Sequence, residues 1–149
     1  MIRKARMYEV PQIRRFLEDR EQHGIIPRPL AYLYSHLQDY FVVIGASGGL
    51  AAVASLHICW DGIGEIRSLS VKPTLRGIGI GKGLVKHCLN EASGLGLTRV
   101  FLLTLIPAYF HKFGFRVVTR ESLPPIAWAD CVNCVKFPNC NETPMILDL

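Results

Sequence analysis

Three glycines at alternate positions form the part of the sequence that points most directly to chemistry. They are Gly77, Gly79 and Gly81, in the stretch RGIGIG. Glycines let backbone N–H groups approach a ligand closely, and a helix that begins here adds unpaired amide donors and the positive end of its dipole. Arg76 and Lys82 flank the loop with positive charge. The stretch therefore predicts a binding site for an anion such as pyrophosphate.

The glycine spacing does not identify the ligand by itself, because a glycine-rich turn has the same composition. A dinucleotide-binding site needs an acidic residue about 20 residues after the loop, and Glu91 comes too early, inside a helical pattern. A Walker loop needs Gly-Lys-Ser/Thr after a four-residue gap, whereas this chain has Gly81-Lys82-Gly83 at a shorter spacing. Both of these nucleotide motifs are therefore set aside.

The surrounding sequence predicts the strands and helices that would position this loop. Strand patterns cover residues 2–6, 41–44, 50–60, 63–71, 99–105, 114–119 and 145–149, and helical spacing covers residues 10–22, 30–37, 80–94 and 107–113. Consecutive strands indicate antiparallel hairpins, and the later strand–helix–strand unit indicates a parallel pair. We therefore predict an α/β (α+β) fold with a mixed, mostly antiparallel central sheet flanked by helices.

The composition sets limits on the class of protein. Half of the 149 residues are hydrophobic and 19% are charged, which suits a single domain over residues 1–149 with a real core. No apolar run reaches the roughly 20 residues of a bilayer-crossing helix, and no signal-peptide core is present. The net charge of +5 is spread along the chain and suits small anions. We expect a cytoplasmic protein without nucleic-acid or membrane partners, and the sequence is compatible with a homodimer.

Two motifs together resemble the GNAT superfamily of N-acetyltransferases. The pattern Arg76-Gly77-x-Gly79-x-Gly81, after SLSVKP, is similar to its acetyl-CoA loop, and AYFHKFGF at residues 108–115 is similar to its helix and Gly-Phe turn. The segments HGIIPRPLAYLYSHLQDYFVV, AAVASLHICWDGIGEIRSLSVKP, VFLLT and ESLPP resemble the acetyltransferase domain of bacterial N-acetylglutamate synthases. The resemblance implies acetylation of the α-amino group of L-glutamate, the first step of arginine biosynthesis, by a short single-domain form.

The same resemblance implies where acetyl-CoA, the expected cosubstrate, would bind. In this superfamily the sheet is splayed between the fourth and fifth strands, and the pantetheine arm lies in the gap. Backbone groups of Leu69, Ser70 and Val71 would pair with the arm, and an N–H there would polarise the thioester oxygen. The pyrophosphate would be held by the loop residues Arg76, Gly77, Ile78, Gly79, Ile80, Gly81 and Lys82.

Acetyl transfer to an amine needs a base for the ammonium group and is helped by an acid for the leaving thiolate. The resemblance makes Glu65 the base, with a surface glutamate at a strand end as the alternative. Many relatives have a tyrosine as the acid where this chain has Phe110. Tyr109 is adjacent but lies roughly 100° around the helix, so a packed aromatic residue is the alternative role. His57 and His111 rank below Glu65 as bases.

The acceptor would bring two carboxylates, which guanidinium groups bind bidentately. Arg28, in IPRP, matches a synthase-like arginine after the first helix, and Arg67 follows Glu65 by two residues on the same strand face. Thr104, which ends VFLLT, is placed to touch the acyl group or the acceptor. For each arginine the alternative is an ordinary surface residue.

Three cysteines lie in the irregular, proline-rich segment of about residues 121–142. Cys131, Cys134 and Cys140 have the spacing C-x2-C-x5-C, which could supply part of a metal site. A structural zinc site needs four ligands, and no fourth ligand is obvious. Reduced thiols that fix a loop are the simpler interpretation, and we expect no metal.

Acetyl transfer would be direct, through a ternary complex, because no positioned Cys-His nucleophile pair is apparent. Two other functions remain open at this point. The same fold could act on another amino acid, a polyamine or a protein N-terminus, or it could be a non-catalytic acyl-CoA-binding regulatory module.

Overall fold

The computed structural model describes residues 1–19, 25, 28–125 and 141–149. In these residues the strands are β1 (Ile2–Lys4), β2 (Tyr40–Ile44), β3 (Leu50–Trp60), β4 (Ile63–Val71), β5 (Arg99–Thr104), β6 (Arg116–Val117) and β7 (Thr143–Asp148). They form one mixed sheet in the order β1-β2-β3-β4-β5-β7-β6. The predicted fold class is therefore confirmed, because a mixed and mostly antiparallel sheet carries the chain.

The α-helices of the described chain are α1 (Val10–Glu18), α2 (Leu30–Ser35), α3 (Ile80–Gly94) and α4 (Pro107–His111). The apolar spacing that predicted α1 places its buried residues on one face: Val10, Ile13, Phe16 and Leu17. Pro11 lies in the first turn, where its missing N–H costs no helical hydrogen bond. The predicted helix over residues 10–22 is thus seen as far as Glu18, and residues 20–24 lie outside the described residues.

The described chain forms two compact units. The first comprises Met1–Leu56 and Ile66–Glu91, and the second comprises His57–Glu65 and Ala92–Leu149. Strands β3 and β4 contribute residues to both units. The expectation of a single domain over residues 1–149 stays a prediction.

The first unit is built on antiparallel pairing of β1 with β2 and of β2 with β3. Helices α1 and α2 cover this part of the sheet with an apolar core: Val10, Ile13, Phe16, Leu17, Leu33, Tyr40, Val42, Leu50 and Val53. Helix α3 belongs to this unit as far as Glu91, and it buries Leu84, Val85 and Cys88. Burial of the Cys88 side chain raises the pKa of its thiol to about 12, so this cysteine packs as an apolar residue.

In the second unit, β5 lies between a parallel and an antiparallel neighbour. In the parallel pairing with β4, Ile63 lies opposite Arg99 and Glu65 lies opposite Phe101. In the antiparallel pairing with β7, Arg99 lies opposite Asp148 and Thr104 lies opposite Thr143. The β4–β5 register therefore ends after three of the nine residues of β4. This agrees with the predicted opening of the sheet between the fourth and fifth strands.

One predicted strand is much shorter than expected. Residues 114–119 alternate well enough for a strand, but only Arg116 and Val117 pair with β7. Gly114 has a left-handed φ of 95° and closes the turn after α4, so the extended conformation begins only afterwards. The sequence also did not show that β7 lies between β5 and β6, because strand order depends on pairing between residues far apart in sequence.

Candidate active site

The glycine loop leads directly into α3, as the sequence predicted. Gly77 and Gly79 have left-handed φ values of 84° and 92°. A β-carbon at either position would meet no atom within 4 Å, so the backbone conformation rather than lack of space requires glycine here. Gly77, Ile78 and Gly79 are exposed, and the amide donors of the first turn of α3 follow them. The loop therefore has the form of an open anion site at a helix N-terminus.

Arg76 makes structural contacts that the sequence did not reveal. Its Nε donates a 3.3 Å hydrogen bond to the carbonyl oxygen of Val71, the last residue of β4. Its backbone N–H donates to the carbonyl oxygen of Pro73, in a single 3-10 turn between strand and loop. The arginine thus ties the loop back to the end of the strand that precedes it. Lys82 is exposed in the first turn of α3.

Strand β4 is irregular at Ser68. Among the described residues, Ser68 is the one non-glycine residue with a positive φ, at 57°. The carbonyl oxygen of the preceding residue, Arg67, accepts a 3.1 Å hydrogen bond from the Ser55 hydroxyl. A left-handed residue interrupts the alternation of side chains along a strand. The expected pantetheine-binding residues Leu69, Ser70 and Val71 follow this interruption.

The structure brings the two predicted acceptor arginines together on one tyrosine. The guanidinium carbon of Arg28 lies 4.6 Å from the ring centroid of Tyr32. Nη1 of Arg67 donates a 2.9 Å hydrogen bond to the Tyr32 hydroxyl. Both arginines are half-buried rather than fully exposed, which argues against ordinary surface positions. Two positive groups therefore lie within the reach of a single phenol side chain, all in the first unit.

Sequence reasoning missed Tyr32, although its position carries a signal. It lies on α2 only four residues after Arg28, which precedes the helix and its N-cap Pro29, so the two are near each other along the chain. The Arg67 contact could not be predicted, because it joins residues 35 positions apart in sequence.

Tyr40 is a second phenol in the same neighbourhood and is only 2% exposed. Burial raises the pKa of Tyr40 to about 12, and the nearby Tyr32 adds to this effect. The charges of Arg28 and Arg67 and a hydrogen bond with the Ser68 side chain act in the opposite direction. Tyr40 is therefore protonated at neutral pH.

Glu65 lies in the second unit and is only 7% exposed. In the parallel β4–β5 register its partner is Phe101, which is fully buried. This burial excludes the alternative of a surface glutamate. The role of Glu65 as the base stays a prediction.

Thr104 and Tyr109 have clear structural contacts in the second unit. The Thr104 hydroxyl oxygen accepts a 2.9 Å hydrogen bond from the backbone N–H of Ile106, and so shapes the approach to α4. The Tyr109 ring packs edge-on against Phe110, with centroids 5.1 Å apart, and Lys112 lies over it. Burial raises the pKa of Tyr109, so the phenol is protonated at neutral pH. These contacts account for packing, and they leave a proton-donating role for Tyr109 as a prediction.

Metal ligands are not grouped in the described part of the chain. Within those residues, no three His, Cys, Asp or Glu side chains form a group that could hold a metal ion. Cys131, Cys134 and Cys140 lie outside the described residues. His111 donates from Nδ1 to the carbonyl oxygen of Phe115 at 3.1 Å, which fixes its ring as part of the turn after α4. Among the described helices, none has both the length and the apolar character needed to cross a membrane.

A mixed sheet, with a glycine loop that begins a helix just after its central strand, is the arrangement expected of the N-acetyltransferase class that the sequence resembles. The chain belongs to the Acetyltransferase (GNAT) family, whose model matches residues 7–115. It is accordingly an N-acetyltransferase that uses acetyl-CoA.

Curated relatives support this assignment at moderate identity. An uncharacterised N-acetyltransferase of Chlorobaculum tepidum is 33% identical over 99% of this chain and 96% of its own length. The amino-acid acetyltransferase of Mycobacterium tuberculosis is 32% identical over 77% of this chain and 67% of its own length. The match to amino-acid acetyltransferases of Neisseria meningitidis covers 29% of their length, so this chain corresponds to under a third of those proteins.

Two solved structures share the fold over 100% of this chain. One is a Mycobacterium tuberculosis protein in complex with CoA and NLQ, with a TM-score of 0.82, 29% identity and 99% of that chain covered. The other is N-acetylglutamate synthase from Neisseria gonorrhoeae, complexed with coenzyme A and N-acetyl-glutamate, with a TM-score of 0.87, 26% identity and 35% of that chain covered. The chain is thus homologous to the acetyltransferase domains of these amino-acid acetyltransferases.

Proposed function

We propose that this N-acetyltransferase transfers the acetyl group of acetyl-CoA to the α-amino group of L-glutamate. The observation that carries the proposal is the pair of half-buried guanidiniums, Arg28 and Arg67, which both contact Tyr32. One carboxylate of an amino acid needs one such partner, whereas glutamate has two carboxylates to place. Two guanidiniums in one neighbourhood therefore favour an acceptor with two acidic groups over a neutral or cationic amine.

In this proposal Glu65 takes the proton that the ammonium group of the acceptor must lose. The amine nitrogen then attacks the thioester carbonyl, a C–N bond forms, and the C–S bond breaks with the electron pair on sulfur. The nitrogen loses its second proton as the amide forms, and the departing CoA thiolate takes that proton up. A thiol has an ordinary pKa of about 8.5, so the thiolate of CoA is a reasonable leaving group without a strong acid. Tyr109, Thr104 and the backbone of Leu69, Ser70 and Val71 are the further residues proposed to act on the reacting groups.

The relatives support the choice of acceptor. Several curated relatives are named amino-acid acetyltransferase, and the solved synthase holds N-acetyl-glutamate, which is the product proposed here. A cytoplasmic enzyme that acts at the start of arginine biosynthesis would use this reaction. The pyrophosphate of acetyl-CoA is assigned to the loop from Arg76 to Lys82.

The proposal is tested by initial rates of thiol release with acetyl-CoA and a panel of amines. The panel contains glutamate, aspartate, glutamine, lysine, spermidine and a short peptide with a free N-terminus. Glutamate should have the highest kcat/KM, and an equal or higher value for another member of the panel would contradict the assignment. No thiol release with any amine would instead favour a non-catalytic acyl-CoA-binding module.

Arg28→Ala should raise the KM for glutamate by about 10–100-fold, because a hydrogen bond to a charged group is lost. The KM for acetyl-CoA should change little. Arg14→Ala is the matched control, because Arg14 is an exposed arginine on α1 that pairs only with Glu18 in the contacts described. An unchanged KM for glutamate in Arg28→Ala would remove this arginine from the acceptor site.

A further inference from the structure

Two parts of the Tyr32 side chain, the ring face and the hydroxyl oxygen, carry partial negative charge, and each contacts a different arginine. The π-face of its ring is 4.6 Å from the Arg28 guanidinium carbon, and its hydroxyl oxygen accepts the 2.9 Å hydrogen bond from Arg67 Nη1. The first contact is a cation–π interaction and the second is a charge-assisted hydrogen bond. One neutral side chain thus compensates part of the repulsion between two like charges that must stay close together.

The position of Tyr32 is itself fixed by its helix and by the core. Its ring stacks on the His36 imidazole with centroids 3.8 Å apart and planes 13° apart. Nδ1 of His36 lies 2.9 Å from the Tyr32 carbonyl oxygen, which can only accept, so this nitrogen is the donor. The Tyr32 side chain also packs against the apolar core of the first unit. These contacts therefore hold the Tyr32 ring in one position.

We propose that Tyr32 is a positioning residue that sets the separation and orientation of the Arg28 and Arg67 guanidiniums for an acceptor with two carboxylates. This rests on the proposed function, because it assigns the acceptor's acidic groups to those two arginines. The hydroxyl is the decisive atom for Arg67, since it fixes one of the five N–H donors of the guanidinium and thereby the plane of the other four. The ring is the decisive part for Arg28.

The second phenol supports this assignment. Tyr40 is buried, and it lies close enough to Arg28 and Arg67 for their positive charges to act on its pKa. The arginine pair thus lies beside the irregular part of β4, directly before the strand residues assigned to acetyl-CoA. A shift in either guanidinium would therefore change how the acceptor is positioned, while the glycine loop would keep its conformation.

The test compares Tyr32→Phe with wild type in steady-state kinetics for glutamate, glutamine and acetyl-CoA. Tyr32→Phe keeps the ring and removes only the hydroxyl. We expect the KM for glutamate to rise about tenfold, because a misoriented Arg67 would lose about one charge-assisted hydrogen bond to the acceptor. The preference for glutamate over glutamine, as a ratio of kcat/KM values, should fall by a similar factor. The KM for acetyl-CoA should stay within about twofold.

Tyr34→Phe is the matched control, because Tyr34 is an exposed tyrosine on the same helix. Its kinetic constants for glutamate, glutamine and acetyl-CoA should equal those of wild type. Tyr32→Leu, which also removes the ring, should lose more of the preference for glutamate than Tyr32→Phe.

The outcomes separate this proposal from the proposed function. If wild type acetylates glutamate and Tyr32→Phe keeps both its KM for glutamate and its preference over glutamine, Tyr32 has only a packing role and the inference is wrong. The same holds if the KM values for glutamate and acetyl-CoA rise together, since that indicates a general loss of structure. If wild type does not acetylate glutamate, the proposed function fails, and this inference fails with it.

Discussion

At the residue scale, the chemistry of the site depends on a few side chains whose surroundings the sequence could not show. Glu65, Arg28 and Arg67 could be selected by type and by resemblance. Their surroundings, which are the buried register with Phe101 and the shared contact with Tyr32, come only from the fold. Sequence therefore offered the candidate reactive groups, and the structure supplied the neighbours of each candidate.

Glu65→Gln tests the base directly. An amide keeps the shape of the side chain but cannot accept a proton from the ammonium group of the acceptor. We expect kcat to fall by about 100-fold, which is a usual contribution of general base catalysis, while the Kd for acetyl-CoA is unchanged. Stopped-flow or steady-state thiol release and calorimetric titration of CoA measure the two quantities. Glu121→Gln, at an exposed position of the same unit, is the control and should retain full activity.

Ser68 provides a residue-scale test of stability. A side chain at a φ of 57° is strained, and a β-branched residue tolerates this conformation least. Ser68→Val should therefore lower the free energy of unfolding by about 2 kcal/mol, in urea titrations with an unchanged m-value. Ser68→Gly accepts the same φ and should be much less destabilising. Equal stability of the valine and glycine variants would show that this part of β4 is not constrained as described.

At the element scale, regular patterns were predictable and special conformations were not. The apolar spacing of α1 and the bounds of β3 and β4 follow from local sequence and are confirmed. The left-handed φ of Ser68 could not be predicted, because the residue lies inside a stretch whose pattern predicts an ordinary strand. The predicted strand over residues 114–119 was too long, since alternation alone does not reveal where β7 offers a pairing partner.

The affinity for acetyl-CoA should depend on the conformation of the glycine loop. Gly79→Ala places a β-carbon where the φ of 92° disfavours it, although no neighbouring atom obstructs the space. We expect the Kd for CoA to rise by about fivefold, in line with roughly 1 kcal/mol of backbone strain. Isothermal titration calorimetry at a fixed salt concentration measures the change.

Gly94→Ala is the matched control for this loop. Gly94 is the last residue of α3, and a β-carbon there also meets no atom within 4 Å. Alanine is the better helix former, so this variant should be as stable as wild type or slightly more stable, with unchanged affinity for CoA. Equal affinities of both variants would mean that the loop conformation does not matter for binding.

At the scale of the whole molecule, a partly buried ion pair between Arg3 and Glu9 should make the stability of the protein depend on pH. Glu9 is 2% exposed, and both of its carboxylate oxygens accept hydrogen bonds from Arg3, at 2.9 and 2.7 Å. The Arg3 bond lowers the pKa of Glu9 below its usual range, a backbone hydrogen bond from Arg6 adds to this, and burial opposes it. The lowered pKa means that folding favours the charged carboxylate.

This contribution should be fully present above pH values near 4.3, the ordinary pKa of glutamate, and should be lost as the pH falls further through the lowered value. The free energy of unfolding should therefore fall more steeply between pH 5 and pH 3 in wild type than in Glu9→Gln. Urea titrations across that range measure it. Glu18→Gln, at an exposed surface pair with Arg14, should keep the wild-type slope, and parallel slopes for all three proteins would refute the assignment.

The family could be predicted from the sequence because two motifs and the order of elements are local features of the chain. The acceptor site could be predicted only in part, because Tyr32 joins α2 to β4 across 35 positions. Tyr40 and Ser68 likewise meet through the fold and not through any local pattern. The residues proposed to hold the donor are therefore close together in sequence, whereas those proposed to choose the acceptor are not.

The most direct test of the central claim is a competition among amines in one reaction. The enzyme receives limiting acetyl-CoA and equal concentrations of glutamate, aspartate, glutamine, lysine and spermidine, and mass spectrometry quantifies each acetylated product. Product ratios then equal the ratios of kcat/KM values, independent of enzyme concentration. N-acetylglutamate should be the dominant product in wild type and should lose that dominance in Arg28→Ala. A different dominant product in wild type would contradict glutamate as the acceptor.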